Sequence, residues 1–281
     1  MRLGVQSNTV SELLKGRVLE IVFYEASTRT SASFDAAMQR LGGRTTHIAA
    51  TYSSAQKGES LQDTLRTLGC YGHAIILRHP EASSAEIAAK YSPVPVINGG
   101  NGSVEHPTQA FLDLFTIREE LSTVNGKIVT FVGDLRYGRT VHSLVKLLQL
   151  YDNVKVQLVS PPTLAIPSEI RQQMARSGQL LLETHELTAK VVADSDVLYC
   201  TRMQKERFED PREYDRLKGS YRIDSAIMRH AKSKMIVMHP LPRNEELAEE
   251  VDDDPRAAYF RQVCIQYSPS SERTITHRLT I

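Results

Sequence analysis

Ser27-Thr28-Arg29-Thr30 puts three hydroxyls and a guanidinium on four consecutive residues. The largely apolar run Val18–Phe23 precedes them and helical spacing follows, so they fall where a strand hands over to a helix. The first N–H groups of a helix lack internal partners and carry the positive end of its dipole, which suits an anion. Hydroxyl and guanidinium donors match phosphate oxygens. The same residues also fit a plain helix cap with a surface arginine, because Ser and Thr cap well.

Other segments sit at similar junctions. His106 precedes Pro107 and Thr108 at a helix start, where it can donate to a carbonyl oxygen; Gln109 lies one turn on. A capping or packing histidine fits there equally. Arg78-His79-Pro80 adds a cation at the end of strand Ala74–Leu77. Gly133-Asp134-Leu135-Arg136-Tyr137-Gly138-Arg139-Thr140 superficially matches the P-loop pattern G-x-x-x-x-G-K-[ST]. Arg139 replaces the lysine, however, and Leu135 and Tyr137 are bulky for a loop that wraps phosphates. A carboxylate held bidentately by Arg139 is the better supported reading. Arg202 and Gln204 lie in a charged run after Val197–Cys200 that reads alone as a solvated helix. In His239-Pro240-Leu241-Pro242-Arg243 the prolines fix an extended turn and can leave carbonyls aimed at a ligand. Ser53–Ser60, with Ser54 and Lys57, reads as a mobile surface loop.

Positioning these segments requires strands and helices in alternation. Val18–Phe23, Ala74–Leu77, Val94–Ile97, Ile128–Val132, Val154–Val159, Val197–Cys200 and Met235–Met238 read as buried strands, as a parallel sheet covered on both faces requires. Ser31–Leu41, Pro107–Leu121 and Thr140–Tyr151 carry apolar stripes at helical spacing. The expected fold is α/β, with two doubly wound parallel-sheet domains. A polar turn at Ser122–Gly126 suggests domains over residues 1–122 and 123–262, followed by a separate segment, 263–281.

Composition sets the remaining bounds. The 281 residues carry 34 basic and 33 acidic side chains, so charge gives no reason to expect nucleic acid or an anionic membrane as partner. No apolar run approaches the roughly 18–20 residues that span a bilayer. The start, Met1-Arg2-Leu3-Gly4, lacks signal-peptide character. Cys70, Cys200 and Cys264 are far apart and without metal spacing, which suits reduced thiols in the cytoplasm.

Taken in order, FYEASTRTS, SSAQKGES, LRHP, EHPTQAFLD, VGDLRYGRTVHS, YCTRMQKERF and MHPLPR resemble the aspartate carbamoyltransferases, from about Leu14 to Gln262. The form most alike is the domain within eukaryotic multifunctional pyrimidine-synthesis polypeptides. STRT with HPTQ is shared by carbamoyltransferases generally, whereas GDLRYGRTVHS, TRMQKER and HPLPR together are the aspartate pattern. The resemblance implies a carbamoyl-phosphate domain, an aspartate domain, a homotrimer with shared active sites, and no metal or organic cofactor. By position it implies Ser27, Thr28, Arg29 and Thr30 on the phosphate, and Arg78, His106 and Thr30 on the carbamoyl carbonyl. Gln109 and the Pro240 and Leu241 carbonyls would hold the amide. Arg139, Arg202 and Gln204 would bind aspartate, with Ser54 and Lys57 reaching in from a neighbouring subunit.

The ends depart from that family. It begins with a further helix ahead of the segment at Met1, and closes with an apolar helix where this chain reads VCIQYSPSSERTITHRLTI. Each large side chain so exposed forfeits about 1.5–3 kcal/mol of burial, against a total stability of about 5–15 kcal/mol. The expectation is a family site on a weakened scaffold. A P-loop nucleotide enzyme and a non-catalytic chain with an assembly role remain open alternatives.

Overall fold

In the computed structural model, which describes residues 12–205, 208, 210–219 and 221–265, the apolar runs become the strands of two parallel sheets. Contacts within the chain separate a first unit, reaching Thr108, from a second, Gln109–Val263.

The first sheet has the order β2-β1-β3-β4, with β1 (Val18–Phe23), β2 (Arg44–Ala49), β3 (Ala74–His79) and β4 (Val96–Asn101) all parallel. Three helices accompany it: α1 (Thr28–Arg40), α2 (Leu61–Leu68) and α3 (Ser84–Tyr91). Successive strand residues face opposite sides. Leu19, Ile21 and Phe23 pack with Met38 and Phe34 of α1, while Val22, Ile75 and Leu77 pack with Leu65 of α2 and Ala88 of α3. The sheet is therefore covered on both faces, which is why its central strands read as continuous apolar runs.

The second sheet has the order β7-β6-β5-β8-β9: β5 (Ile128–Gly133), β6 (Lys155–Val159), β7 (Leu180–Thr184), β8 (Val197–Thr201) and β9 (Ile236–Met238), again all parallel. Its helices are α4 (Pro107–Leu121), which starts two residues before the division, α5 (Arg139–Leu148), α6 (Ser168–Arg176), α7 (Ala189–Asp194), α8 (Pro211–Leu217), α9 (Ser225–Met228) and α10 (Tyr259–Ile265). Phe131 and Tyr199 pack with Ala110 and Ile117 of α4 and Leu144 of α5 on one face. Val132, Leu198 and Val237 pack with Val192 of α7 and Met228 of α9 on the other. Both units are doubly wound.

Two strands escape the sequence reading, β2 and β7, and both are sheet edges. An edge strand has one strand neighbour and one open side, so the partly exposed Arg44-Thr45-Thr46-His47-Ile48-Ala49 serves there without an apolar run. Helix α1 begins at Thr28 rather than Ser31, because Ser27 is extended (φ −158°, ψ 102°) and the helical turn starts at the next residue. Of the C-terminal segment, 263–265 completes α10, while 266–281 and 1–11 lie outside the described residues. No described helix is long and apolar enough to cross a membrane.

Candidate active site

In the first unit the candidate residues collect at the carboxyl ends of adjacent strands. Thr28, Arg29 and Thr30 form the first turn of α1, directly after β1, with Ser27 as its cap residue. The Ser27 side chain makes no capping hydrogen bond, so a plain structural cap does not account for it. Thr30 is buried, and its carbonyl accepts the Ser33 hydroxyl at 2.8 Å. Strand β3 lies beside β1 with Arg78 opposite Phe23, and the Tyr24 N–H donates to the Arg78 carbonyl at 2.8 Å. The Arg78 guanidinium in turn donates to Glu25, which ties the end of β3 to the β1–α1 turn.

Strand β4 adds the next position. Asn101 pairs with His79 of β3, and Asn101 bridges to Glu105 in antiparallel fashion. That bridge returns the chain to the end of β4, and His106, the next residue, is buried. His79 is also buried, its ring tilted against that of Tyr24 with centroids 4.4 Å apart, and burial pushes its imidazole below its ordinary pKa. Ser54 and Lys57 occupy an exposed 3-10 turn, Ser54–Lys57, a few residues after the edge strand β2. Gly58 closes that turn at φ 87°, in the left-handed region that glycine enters without a Cβ clash.

In the second unit the carboxyl ends of β5, β8 and β9 bring together the segments from 133, 201 and 239. Gly133 lies opposite Thr201, and a Cβ at Gly133 would stand 2.3 Å from the Thr201 carbonyl oxygen, so only glycine fits. The Thr201 hydroxyl donates to the Val132 and Asp134 carbonyls at 3.1 and 3.2 Å. Gln204 Nε2 donates to the Tyr137 carbonyl at 2.8 Å, bringing Gln204 against the loop that carries Arg139. Arg139 opens α5 and is buried; Arg202 is half-buried.

That loop is not a phosphate cradle. A P-loop offers its backbone N–H groups to phosphate. Here the N–H of Leu135 donates to Leu164, that of Tyr137 to the Asp134 carboxylate, and that of Arg139 to the Tyr137 carbonyl. Leu135 is fully buried in the core and Tyr137 packs near Phe208. The loop is wrapped around its own side chains, and the P-loop alternative is set aside.

The HPLPR segment follows β9. Leu241 takes φ 53°, unusual for a residue with a branched side chain, and its N–H donates to His239 Nδ1 at 2.8 Å. His239 Nε2 must then carry the proton, which it donates to Glu246 Oε1 at 2.9 Å. Burial holds the His239 imidazole below its usual pKa. Burial pulls Glu246 upward, but hydrogen bonds from His239 and the Asn244 N–H outweigh it and keep the carboxyl low. The pair is a neutral imidazole donating to a carboxylate. Arg243 faces elsewhere, donating to Asp252 Oδ2 at 2.7 Å as a structural anchor.

Sequence reasoning missed Glu25, Asp113, Tyr199, Glu246 and Gln262. Asp113 alone left a trace, since it stands four residues after Gln109 and such helical neighbours share a face. Among the described residues no group of three His, Cys, Asp or Glu side chains is placed to hold a metal ion.

Two family models cover this arrangement: the carbamoyl-phosphate-binding domain of aspartate/ornithine carbamoyltransferases over residues 1–119, and their aspartate/ornithine-binding domain over 125–266. The chain belongs to this family. It is 70% identical over 273 residues to the multifunctional protein pyrABCN of Emericella nidulans, a match covering 97% of this chain and 12% of that protein. The chain thus spans a small part of its multifunctional relatives. It is 48% identical over 253 residues to the aspartate carbamoyltransferase catalytic subunit of Methanothrix thermoacetophila, covering 90% of this chain and 82% of that one. The crystal structure of Trypanosoma cruzi aspartate transcarbamoylase in complex with carbamoyl phosphate superposes with a TM-score of 0.90 at 46% identity, covering 96% of this chain and 86% of that one.

Proposed function

We propose that this carbamoyltransferase moves the carbamoyl group of carbamoyl phosphate to the amine of L-aspartate, giving N-carbamoyl-L-aspartate and phosphate for de novo pyrimidine synthesis in the cytoplasm. The observation that carries this reading is the gathering of Ser27–Thr30, Arg78 and His106 at neighbouring strand ends of one sheet. Similarity to an aspartate transcarbamoylase crystallised with carbamoyl phosphate supports it.

In this reading Ser27, Thr28, Arg29 and Thr30 grip the phosphate at the helix N-terminus. The aspartate amine attacks the carbamoyl carbon, and Arg78, His106 and Thr30 donate to the oxygen that gains negative charge. Gln109 and the Pro240 and Leu241 carbonyls accept from the carbamoyl –NH2. The carbon–oxygen bond to phosphate then breaks, and the proton lost by the amine goes to the departing phosphate. Arg139, Arg202 and Gln204 hold the aspartate carboxylates. Much of the gain is proximity, because two anions that repel in water are fixed in attack geometry by cations. Ser54 and Lys57, exposed on their turn, serve the site of a neighbouring copy in a homotrimer.

One assay tests the reading. Purified chain is given carbamoyl phosphate with aspartate or with ornithine, and its mass in solution is measured alongside. Carbamoylaspartate from a trimer is expected. Product with ornithine alone would overturn the substrate, and no product from a folded trimer would favour an assembly role. Arg29→Ala should abolish carbamoyl phosphate binding, and unchanged affinity would remove Arg29 from the site.

A further inference from the structure

Asp113 has no role in the chemistry above, yet its carboxylate is fully buried and accepts three hydrogen bonds. Gln109 Nε2, one turn earlier on α4, donates to Oδ1 at 2.7 Å. The Gln262 amide of α10 donates to the same oxygen, and the Tyr199 hydroxyl of β8 donates to Oδ2 at 2.7 Å. Ala110, Ile117 and Phe131 belong to the same apolar cluster as Tyr199. A carboxyl in such surroundings is costly to keep, and an apolar residue of similar size would avoid that cost.

We propose that Asp113 is a positioning residue that fixes the polarity of the Gln109 amide and so makes the site select a carbamoyl –NH2 over a methyl group of the same size. The inference rests on the reading of Gln109 as a partner of the carbamoyl amide. A side-chain amide has a donor arm and an acceptor arm. Oδ1 of Asp113 only accepts, so the Nε2 arm of Gln109 must face it, which reserves the Oε1 arm for the ligand. Oε1 rewards an N–H and gains nothing from a methyl group.

The same carboxylate oxygen sets a second amide. Gln262 turns Nε2 toward Asp113, so its Oε1 accepts the backbone N–H of His239 at 3.2 Å. His239 immediately precedes Pro240 and Leu241, whose carbonyls are the other two acceptors proposed for the –NH2. One carboxylate thereby orients a side-chain acceptor directly and a backbone pair through Gln262. The arrangement survives protonation: a proton on Oδ2 can turn to the Tyr199 oxygen while Oδ1 goes on accepting from both amides.

The test compares three anions on the full chain: the KM of carbamoyl phosphate, and the inhibition constants of acetyl phosphate and inorganic phosphate. Acetyl phosphate carries a methyl group where carbamoyl phosphate has –NH2. Asp113→Ala should reduce the preference for carbamoyl over acetyl phosphate about tenfold, the scale of one oriented hydrogen bond, and leave inorganic phosphate unchanged. Asp113→Asn should retain the preference, since the His239 N–H fixes Gln262 and so turns the Asn oxygen toward both amides. An unchanged preference in Asp113→Ala, an equal weakening of all three anions, or a lost preference in Asp113→Asn would each overturn the proposal. If the alanine chain does not fold, Asp113→Ser is measured against the same outcomes. Gln109→Ala separates the two levels. If it leaves the preference unchanged, the reading of Gln109 fails; if it lowers the preference while Asp113→Ala does not, the role of Asp113 alone fails.

Discussion

Arg78 Nε donates to Glu25 Oε2 at 3.2 Å, with the two side chains only 13% and 22% exposed. The guanidinium plane is thus set before any ligand arrives, by a residue two positions ahead of the turn proposed to grip the phosphate. Glu25→Gln keeps an acceptor at that place but removes its charge, and is expected to lower kcat/KM about tenfold through misorientation of Arg78. Arg78→Ala removes the donor itself and should lower kcat by about 100- to 1000-fold. Steady-state kinetics on both variants check the ordering, and a glutamine variant as slow as the alanine one would contradict it.

Arg139 and Arg202 are proposed for the amino-acid carboxylates, which predicts a split between substrates. Arg139→Lys loses the planar fork while keeping the charge, and such a change is not conservative at a bidentate site. It should raise the KM of aspartate about tenfold or more with the KM of carbamoyl phosphate nearly unchanged. Initial rates with each substrate varied in turn provide the measurement, and equal shifts in both constants would exclude the assignment.

Most of this frame is legible in the sequence because the central strands must be apolar on both faces, as Val129–Val132 and Val197–Cys200 are. The edge strands β2 and β7 are not legible, since a segment such as Arg44–Ala49 is under no such demand. The candidate anion turn stands out because donors cluster in consecutive residues at a helix start. Asp113, Tyr199 and Gln262 could not be grouped, because their hydrogen bonds join positions as far apart as 149 residues and each looks ordinary alone. Glu25 carries no legible role within FYEASTRTS, since nothing in the sequence says that Arg78 ends one strand over.

His239 holds the turn that presents the Pro240 and Leu241 carbonyls, accepting from the Leu241 N–H while donating to Glu246. A leucine in the left-handed region costs about 1–2 kcal/mol, so the conformation depends on such ties. His239→Phe leaves the Leu241 N–H and the Glu246 carboxylate without this partner and should destabilise the chain by about 2–4 kcal/mol. The KM of carbamoyl phosphate should rise with it. Glu246→Gln keeps an acceptor for Nε2 and should cost about 1 kcal/mol or less. Urea unfolding and kinetics on the pair give both readings, and a phenylalanine variant with wild-type midpoint would refute this role.

Burial raises the Asp113 carboxyl from the usual 3.8 to about 7, overcoming the opposing hydrogen bonds from Tyr199, Gln109 and Gln262. The sign of the resulting pH dependence follows from linkage. Between these two values the folded chain holds a proton that the unfolded chain has released. The contribution of this group to stability is therefore complete below the unfolded value and is lost as pH rises through about 7. His239 slopes the other way, because its depressed imidazole contributes stability above the ordinary histidine range that is lost as pH falls through it. Wild-type unfolding alone would mix the two. The difference between wild type and Asp113→Asn isolates the carboxyl, since the amide does not titrate and His239 is common to both chains. Wild-type stability relative to the variant should decline from about pH 5 to about pH 8 and then level off. Urea midpoints across that range make the comparison, and parallel curves would mean that the Asp113 carboxyl titrates alike in the folded and unfolded chains.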